Sequence, residues 1–287
     1  MRIDPKEIPT AQLHGYLLGS VAPRPIAFVS TINEDGVRNL SPFSFFNVFS
    51  ANPPIAIFSP ARRVRDNTTK HTLENVMATK ECVINVVSYD IVQQMSLSST
   101  EYGDGVDEFT KSGLTPIESE LVKSARVAES PVQMECKLKE VVHLGTEGGA
   151  GNLVICEVVM MHIDDRILGE DGKIDQHKID LVSRLGGNWY GRATGSSLFE
   201  VPKPLSTLGI GVDALPEGIR NSKILTGNDL GQLGNVEAIP AFSSSSEETE
   251  KLNSITFEQA HKMAQDLIAD GQLDKAWQLL LTKSEST

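Results

Sequence analysis

Two apolar stretches facing each other across a glycine-rich turn limit what this chain can fold into. QMECKLKEVVHLG begins at Gln133, NLVICEVVMMHID begins at Asn152, and Thr146-Glu147-Gly148-Gly149-Ala150-Gly151 lies between them. Alternating, β-branched segments read as strands, and a short glycine turn sends the second back antiparallel to the first. The spacing predicts one long hairpin from Val132 to Asp164.

Shorter strands are expected earlier. Residues 26–32 (IAFVSTI) are followed by the turn Asn33-Glu34-Asp35-Gly36, then by a second strand over 42–50 (PFSFFNVFS) that Asn52-Pro53-Pro54 ends. Ile55–Ser59 and Glu81–Val87 read as two more. Between them, Leu73, Val76 and Met77 fall at helical spacing in 67–78, with Asn67 or Thr68 as the cap. Ile91–Leu97 suits a short helix. Residues 98–130 read as a long polar loop with room for one helical turn, and Glu101, Asp104, Asp107 and Glu108 lack the alternation of a calcium loop. Strands in hairpin order with few helices indicate a mainly β fold, an antiparallel barrel with a few peripheral helices, because closing a sheet removes its exposed edges.

Composition narrows the function classes. A net charge of −12 over 287 residues argues against a general nucleic-acid binder, which needs a basic footprint. No apolar run approaches the roughly 20 residues of a spanning helix. The polar start MRIDPKEIPTAQLHG is unlike a secretory signal, so a cytoplasmic chain is expected. Cys82, Cys136 and Cys156 are widely spaced in apolar runs and read as reduced core thiols. The six histidines show no metal-ligand spacing.

After Tyr190 the character changes. Residues 1–200 read as one domain. Residues 201–250 hold Pro202, Pro204, Pro216, Pro240 and a serine run from Ser243 to Ser246, and read as an extended arm with little core. Residues 251–287 return to helical periodicity. Thr256 and Gln259 make a capping box, Phe257, Ala260, Ala264, Leu267 and Ile268 a stripe, and Leu273, Ala276, Leu279 and Leu280 a second helix after Gly271. This helical hairpin suits docking on a partner or second subunit, or the chain's own core. Gly209-Ile210-Gly211-Val212-Asp213-Ala214 fits a loose dinucleotide pattern, but Pro216 stands where the helix should begin.

The chemistry concentrates in 21–68. Arg62, Arg63 and Arg65 fall within four residues of an acidic protein, just before an expected helix start. Guanidinium groups and helix-start N–H groups hold phosphate, although a solvated basic turn has the same composition. Upstream, Ser30, Thr31, Ser41, Ser44 and Asn47 alternate with Phe43, Phe45 and Phe46. Hydroxyls beside aromatic rings suit a flat ring system with hydrogen-bonding edges, a polyhydroxyl chain and a phosphate, which describes a flavin.

The ordered set PRPIAFVST, NLSPFSFFN, PPIAIFSP and RDNT with Asn75 beyond, then LVSRLGGNWYGR at 181–192, resembles the flavin reductase-like family of FMN-binding split barrels, the flavoredoxin group. It spans roughly residues 10–200. The resemblance implies an antiparallel split β-barrel, a homodimer, and FMN near the subunit interface. It implies that Arg24, Ser30, Thr31 and Ser41, Pro42, Phe43, Ser44, Phe45 and Phe46 surround the ring and ribityl chain. Ser59, Arg65, Asp66 and Thr68 would surround the phosphate, and Asn47 would meet either part. His177, as the catalytic candidate, with Arg184 and Tyr190, would close over the flavin near the nicotinamide, while Trp189 packs; His177 equally suits a surface position. Two activities follow: an NAD(P)H-dependent flavin reductase handing reduced flavin to an oxygenase or another acceptor, or an FMN electron carrier without its own NAD(P)H turnover. The cofactor carries the hard chemistry in either case.

Overall fold

The computed structural model describes residues 1–103, 105–201, 208–241 and 255–284. They belong to two compact units, Met1–Phe199 and Glu200–Thr287. The first begins with α1 (Thr10–Ser20), β1 (Ala27–Ile32), β2 (Arg38–Phe43), β3 (Phe46–Ala51), β4 (Pro54–Phe58), α2 (His71–Thr79) and β5 (Glu81–Val86). Next come α3 (Val92–Leu97), α4 (Glu108–Ser112), and the short pair β6 (Pro116–Ile117) and β7 (Arg126–Val127). The long hairpin β8 (Val132–His143) and β9 (Asn152–Ile163) follows, then β10 (Val182–Arg184) and β11 (Tyr190–Arg192).

Seven strands form one antiparallel sheet in the order β2-β1-β5-β8-β9-β4-β3. The expected hairpin is its centre, with Val132 opposite Ile163 and His143 opposite Asn152. The two edge strands, β2 and β3, are separated in sequence only by Ser44 and Phe45. A flat sheet of seven strands would hold its edges about 29 Å apart. Phe43 to Phe46 spans at most about 11 Å of chain. The sheet therefore has to roll until its edges approach, which is the open, split form of a barrel. The single strand expected over 42–50 is thus two strands: the chain leaves one edge at Phe43 and joins the other at Phe46. Periodicity missed the break because no glycine or proline marks it; the only sign is the adjacent pair Phe45-Phe46, where alternation slips by one residue. The Phe45 carbonyl accepts from Ser59 N at 2.9 Å, which fixes the crossing.

The rolled interior is filled. Ala27, Val29, Phe43, Phe58, Ile84 and Val154 pack there with Leu73 and Val76 of α2. Phe43 and Phe58 lie 5.5 Å apart, tilted by 36°. The three cysteines share this core as free thiols; Cys82 stands opposite Cys136, with its Sγ 3.9 Å from that of Cys156. Hydrogen bonding with Cys136 and Cys156, together with burial, pushes the Cys82 thiol well above its ordinary pKa. On the other face of β1, Ile26 and Phe28 pack with Leu40, Met95 and Phe109. A strand covered on both sides loses alternation, so IAFVSTI reads as a run. α2 starts at His71 after Lys70, with no side-chain cap, so neither Asn67 nor Thr68 caps it. Met77, on its expected apolar stripe, is exposed.

The second unit holds α5 (Glu217–Arg220), α6 (Gly227–Leu233), α7 (Phe257–Ala269) and α8 (Leu273–Ser284). Within the expected coreless arm, residues 208–241 depart from that reading: Leu215, Ile219, Leu225 and Leu233 are buried with Ala260, Ala264, Ala276 and Trp277. Helices of four and seven residues are too short to show a 3.6-residue period, so the pattern looked like linker. The apolar stripe of the helical pair is largely core of this unit, although Phe257 is exposed. Thr256 and Gln259 form the expected capping box. Gly209 and Gly234 meet backbone to backbone. Asp104, Pro202, Pro204 and Ser243–Ser246 lie outside the described residues. Among the described residues no helix is long and apolar enough to cross a membrane.

Candidate functional site

The arginine turn is a built loop. Arg62 Nε donates to Asn67 Oδ1 at 2.6 Å, and Asn67 takes a left-handed backbone, φ 58°, which asparagine tolerates better than most side chains. Asp66 accepts from the Thr68 hydroxyl at 2.6 Å and the Thr68 N–H at 3.1 Å. These bonds, with help from Arg65, hold its pKa down to about 2. Arg63 Nη1 donates to Thr68 Oγ1 at 2.9 Å and to the Thr69 carbonyl.

The glycine turn between β8 and β9 clamps this loop. Gly149 N donates to the Arg62 carbonyl at 2.9 Å, and Arg62 N to that of Ala150 at 2.8 Å. Asn67 Nδ2 reaches the Thr146 carbonyl at 3.0 Å, and Asn152 Nδ2 that of Pro60 at 2.8 Å. At Gly151 a Cβ would stand 2.8 Å from Ser59 Oγ, so Ser59 is buried against the same turn. Sequence reading gave these glycines only the work of reversing a hairpin.

Beside the turn lies a cavity of about 540 Å³, on the flank of the filled barrel. Arg63, Thr68, Thr69, His71, Asn39 and Asn75 line it, with Arg38 and Asn33 farther along. Val37 and Val106 are its apolar lining among the described residues. Beneath it runs a buried polar chain. Asn75 Nδ2 donates to Thr31 Oγ1 at 3.0 Å, and Thr72 Oγ1 to Asn39 Oδ1 at 2.7 Å. Asn39 Nδ2 in turn donates to Glu108 Oε1 at 3.1 Å, while Leu40 N meets Oε2 at 3.0 Å. Burial raises the Glu108 pKa against the pull of these donors.

A second cluster forms around Arg24, whose guanidinium is buried and donates to the carbonyls of Leu18, Val21 and Leu185, and to Ser44 Oγ at 3.4 Å. Its backbone bridges to Arg184, which lies 4.6 Å over the Tyr190 ring. Burial, then the neighbouring Arg184, lowers the Arg24 pKa.

The expected site residues therefore divide. Thr68 lines the cavity and Arg65 and Asp66 stand on its turn; of the turn's own arginines Arg63, not Arg65, is in the lining. Ser41 lines a small recess shared with Arg63 and Glu101. Thr31 and Ser30 are fully enclosed, and Ser30 Oγ has no partner among the described residues. Phe43 is core, Pro42 and Phe46 are half-buried, and Phe45 is exposed with an edge contact to His14 at 6.1 Å. Asn47 is exposed and accepts from Val48 N. His177 is exposed on the turn after Asp175 and lies outside the cavity lining. Sequence reading missed Asn39 and Glu108 as a pair. The carboxylate was hidden in an acidic run, and only its apolar neighbour Phe109 hinted at burial.

The donors fit a phosphorylated, hydroxylated ligand, with guanidinium and hydroxyl at one end and amides along the wall; the Glu74 carboxylate also lines the cavity and accepts from Thr69 Oγ1. The sequence profile described as flavin reductase like domain matches residues 18–178. An uncharacterized protein of Aquifex aeolicus is 39% identical over 196 residues, 68% of this chain and 97% of its own. Among solved structures, nitrilotriacetate monooxygenase component B from Bacillus cereus aligns with a TM-score of 0.65 at 30% identity, covering 70% of this chain and 98% of that one. A protein described as a flavin reductase with a split barrel domain, from Shewanella frigidimarina, aligns with a TM-score of 0.60 at 29% identity, covering 71% and 99%.

Proposed function

The chain belongs to the flavin reductase-like family, and on that footing we propose that it is an NAD(P)H-dependent oxidoreductase that uses FMN. The observation that carries this reading is the clamped turn that sets Arg63 and Thr68 on the wall of a ligand-sized cavity. Arg63 and Thr68 would hold the phosphate, with Arg65 at the rim; Asn39 and Asn75 would meet the ribityl hydroxyls. Flavin, when bound, supplies the hydride-accepting ring. The protein contributes position: residues already fixed by hydrogen bonds lose little freedom on binding, and correct stacking of two reactants can remove about 7 kcal/mol of barrier. The Glu108 carboxylate keeps Asn39 and β2 in place under the cavity.

The lining has little apolar wall for a ring. Strand β3 is a sheet edge carrying Val48 and Phe49 exposed, with Phe45 and Trp189 also in solvent. Aromatic side chains on an unpaired edge suit burial against a second copy, and a homodimer in which each copy helps enclose flavin follows. The likeness to a protein named as component B of a monooxygenase supports delivery of reduced flavin to an oxygenase partner. Three free thiols suit a reducing compartment such as the cytoplasm.

The test is direct. Purified protein with FMN is expected to oxidise NADH or NADPH, followed at the nicotinamide absorbance band, and to quench FMN fluorescence. Failure to bind FMN would overturn the proposal.

A further inference from the structure

Glu101 reaches the arginine turn from the polar stretch after α3. Its Oε1 lies 3.1 Å from Arg63 Nε and 3.5 Å from Lys70 Nζ, and its Oε2 lies 3.2 Å from Arg65 Nη2. One carboxylate thus gathers three cations belonging to a single turn. Hydrogen bonding from Arg63 and the charge of Lys70 hold its pKa below the usual carboxylate value. Nearby Gly103, Gly105 and Val106 line the cavity itself. Resting on the reading of this turn as a phosphate anchor, we propose that Glu101 holds the place of the flavin phosphate in the empty protein and is displaced when phosphorylated flavin binds.

Charge and geometry favour the exchange. With Glu101 in place, Arg63, Arg65 and Lys70 face Glu101 and Asp66, a local balance of one positive charge. Removing Glu101 leaves two, matching the charge of about −1.5 to −2 on a phosphate monoester. A carboxylate offers two oxygens to these donors, whereas a phosphate offers three. The Arg65 pair is weak enough to exchange, because Glu101 and Arg65 are 44% and 74% exposed in their side chains and exposed ion pairs contribute little, while Arg63, 18% exposed, holds Glu101 more firmly. While empty, the site keeps its cations gathered; each binding event must break the internal pairs, so FMN is held less tightly than the cations alone would allow. Such a site suits a flavin that comes and goes over one that stays.

The experiment compares the full-length protein with Glu101→Gln by fluorescence titration with FMN and with riboflavin, which lacks the phosphate. The substitution is nearly isosteric at an exposed position, so the fold is retained. The expected result is FMN affinity raised about two- to five-fold with riboflavin affinity unchanged. Equal or weaker FMN binding by the variant, or an equal gain for riboflavin, overturns the placeholder role. Arg63→Ala separates this from the underlying reading. If Arg63→Ala leaves FMN affinity unchanged, or if no protein binds FMN, the phosphate anchor itself fails and the role of Glu101 falls with it.

Discussion

Gly148 meets Val64 where the hairpin turn abuts the arginine turn: a Cβ on Gly148 would stand 3.0 Å from Val64 Cα and 3.1 Å from the Val64 carbonyl oxygen. The obstructing atoms are backbone and cannot swing aside as a side-chain tip can. Gly148→Ala is expected to cost about 1–3 kcal/mol, as overpacking does, and to weaken FMN binding by shifting Arg63. Thermal melting and FMN titration check both. Wild-type behaviour on both counts would show that the two turns are not coupled.

Arg63 and Arg65 differ in what surrounds them. Arg63 is bonded to Thr68 and lines the cavity, whereas Arg65 is mostly in solvent. Arg63→Ala is expected to lower FMN affinity by about ten-fold or more, as loss of a charged phosphate donor does, and Arg65→Ala by less. Riboflavin binding should change little in either. Titration of the two variants decides the order, and the reverse order would move the anchor to the rim.

The second unit should weaken in mild acid. His261 is 1% exposed, its Nδ1 meets Ser222 Oγ at 2.7 Å, and its Nε2 has no partner among the described residues. Burial lowers its pKa from the ordinary 6.5. The unfolded chain therefore takes up a proton in a range where the folded unit resists it. Its stability is full above about pH 6.5 and declines as pH falls from there toward the folded value. Trp277 is buried in this unit, so its emission in a Trp189→Phe background follows the unfolding. The transition is expected at lower denaturant near pH 5.5 than near pH 7.5, and His261→Gln should flatten that difference.

A protein ending at Phe199 is expected to fold and bind FMN with unchanged affinity. Both hydrophobic clusters of the first unit are complete before that residue, and the third lies wholly beyond it. Circular dichroism and FMN titration of the shortened chain test this; an aggregated or non-binding product would show that the helices are required.

The hairpin from Val132 to Asp164 was legible because both strands announce themselves over a dozen residues. Arg63 and Thr68 were legible as a phosphate-type turn because arginine is conspicuous in an acidic chain. The break at Ser44–Phe45 was not, since only the return of the chain to the far edge of the sheet reveals it. Arg24 was expected against a ligand but spends its donors on three carbonyls and a serine, because a positive residue in a strand-like run gives no hint of which backbone oxygens will converge on it. The fold of 208–241 escaped notice because its buried leucines come singly, between prolines and glycines.

Cys82, Cys136 and Cys156 give the first unit a built-in timer. All three sulfurs are sealed inside the rolled sheet, and a thiol-specific dye can reach them only when strands β5, β8 and β9 part. The rate of labelling would then measure how often the sheet opens, without any engineered probe, and a ligand that braces the unit should slow it.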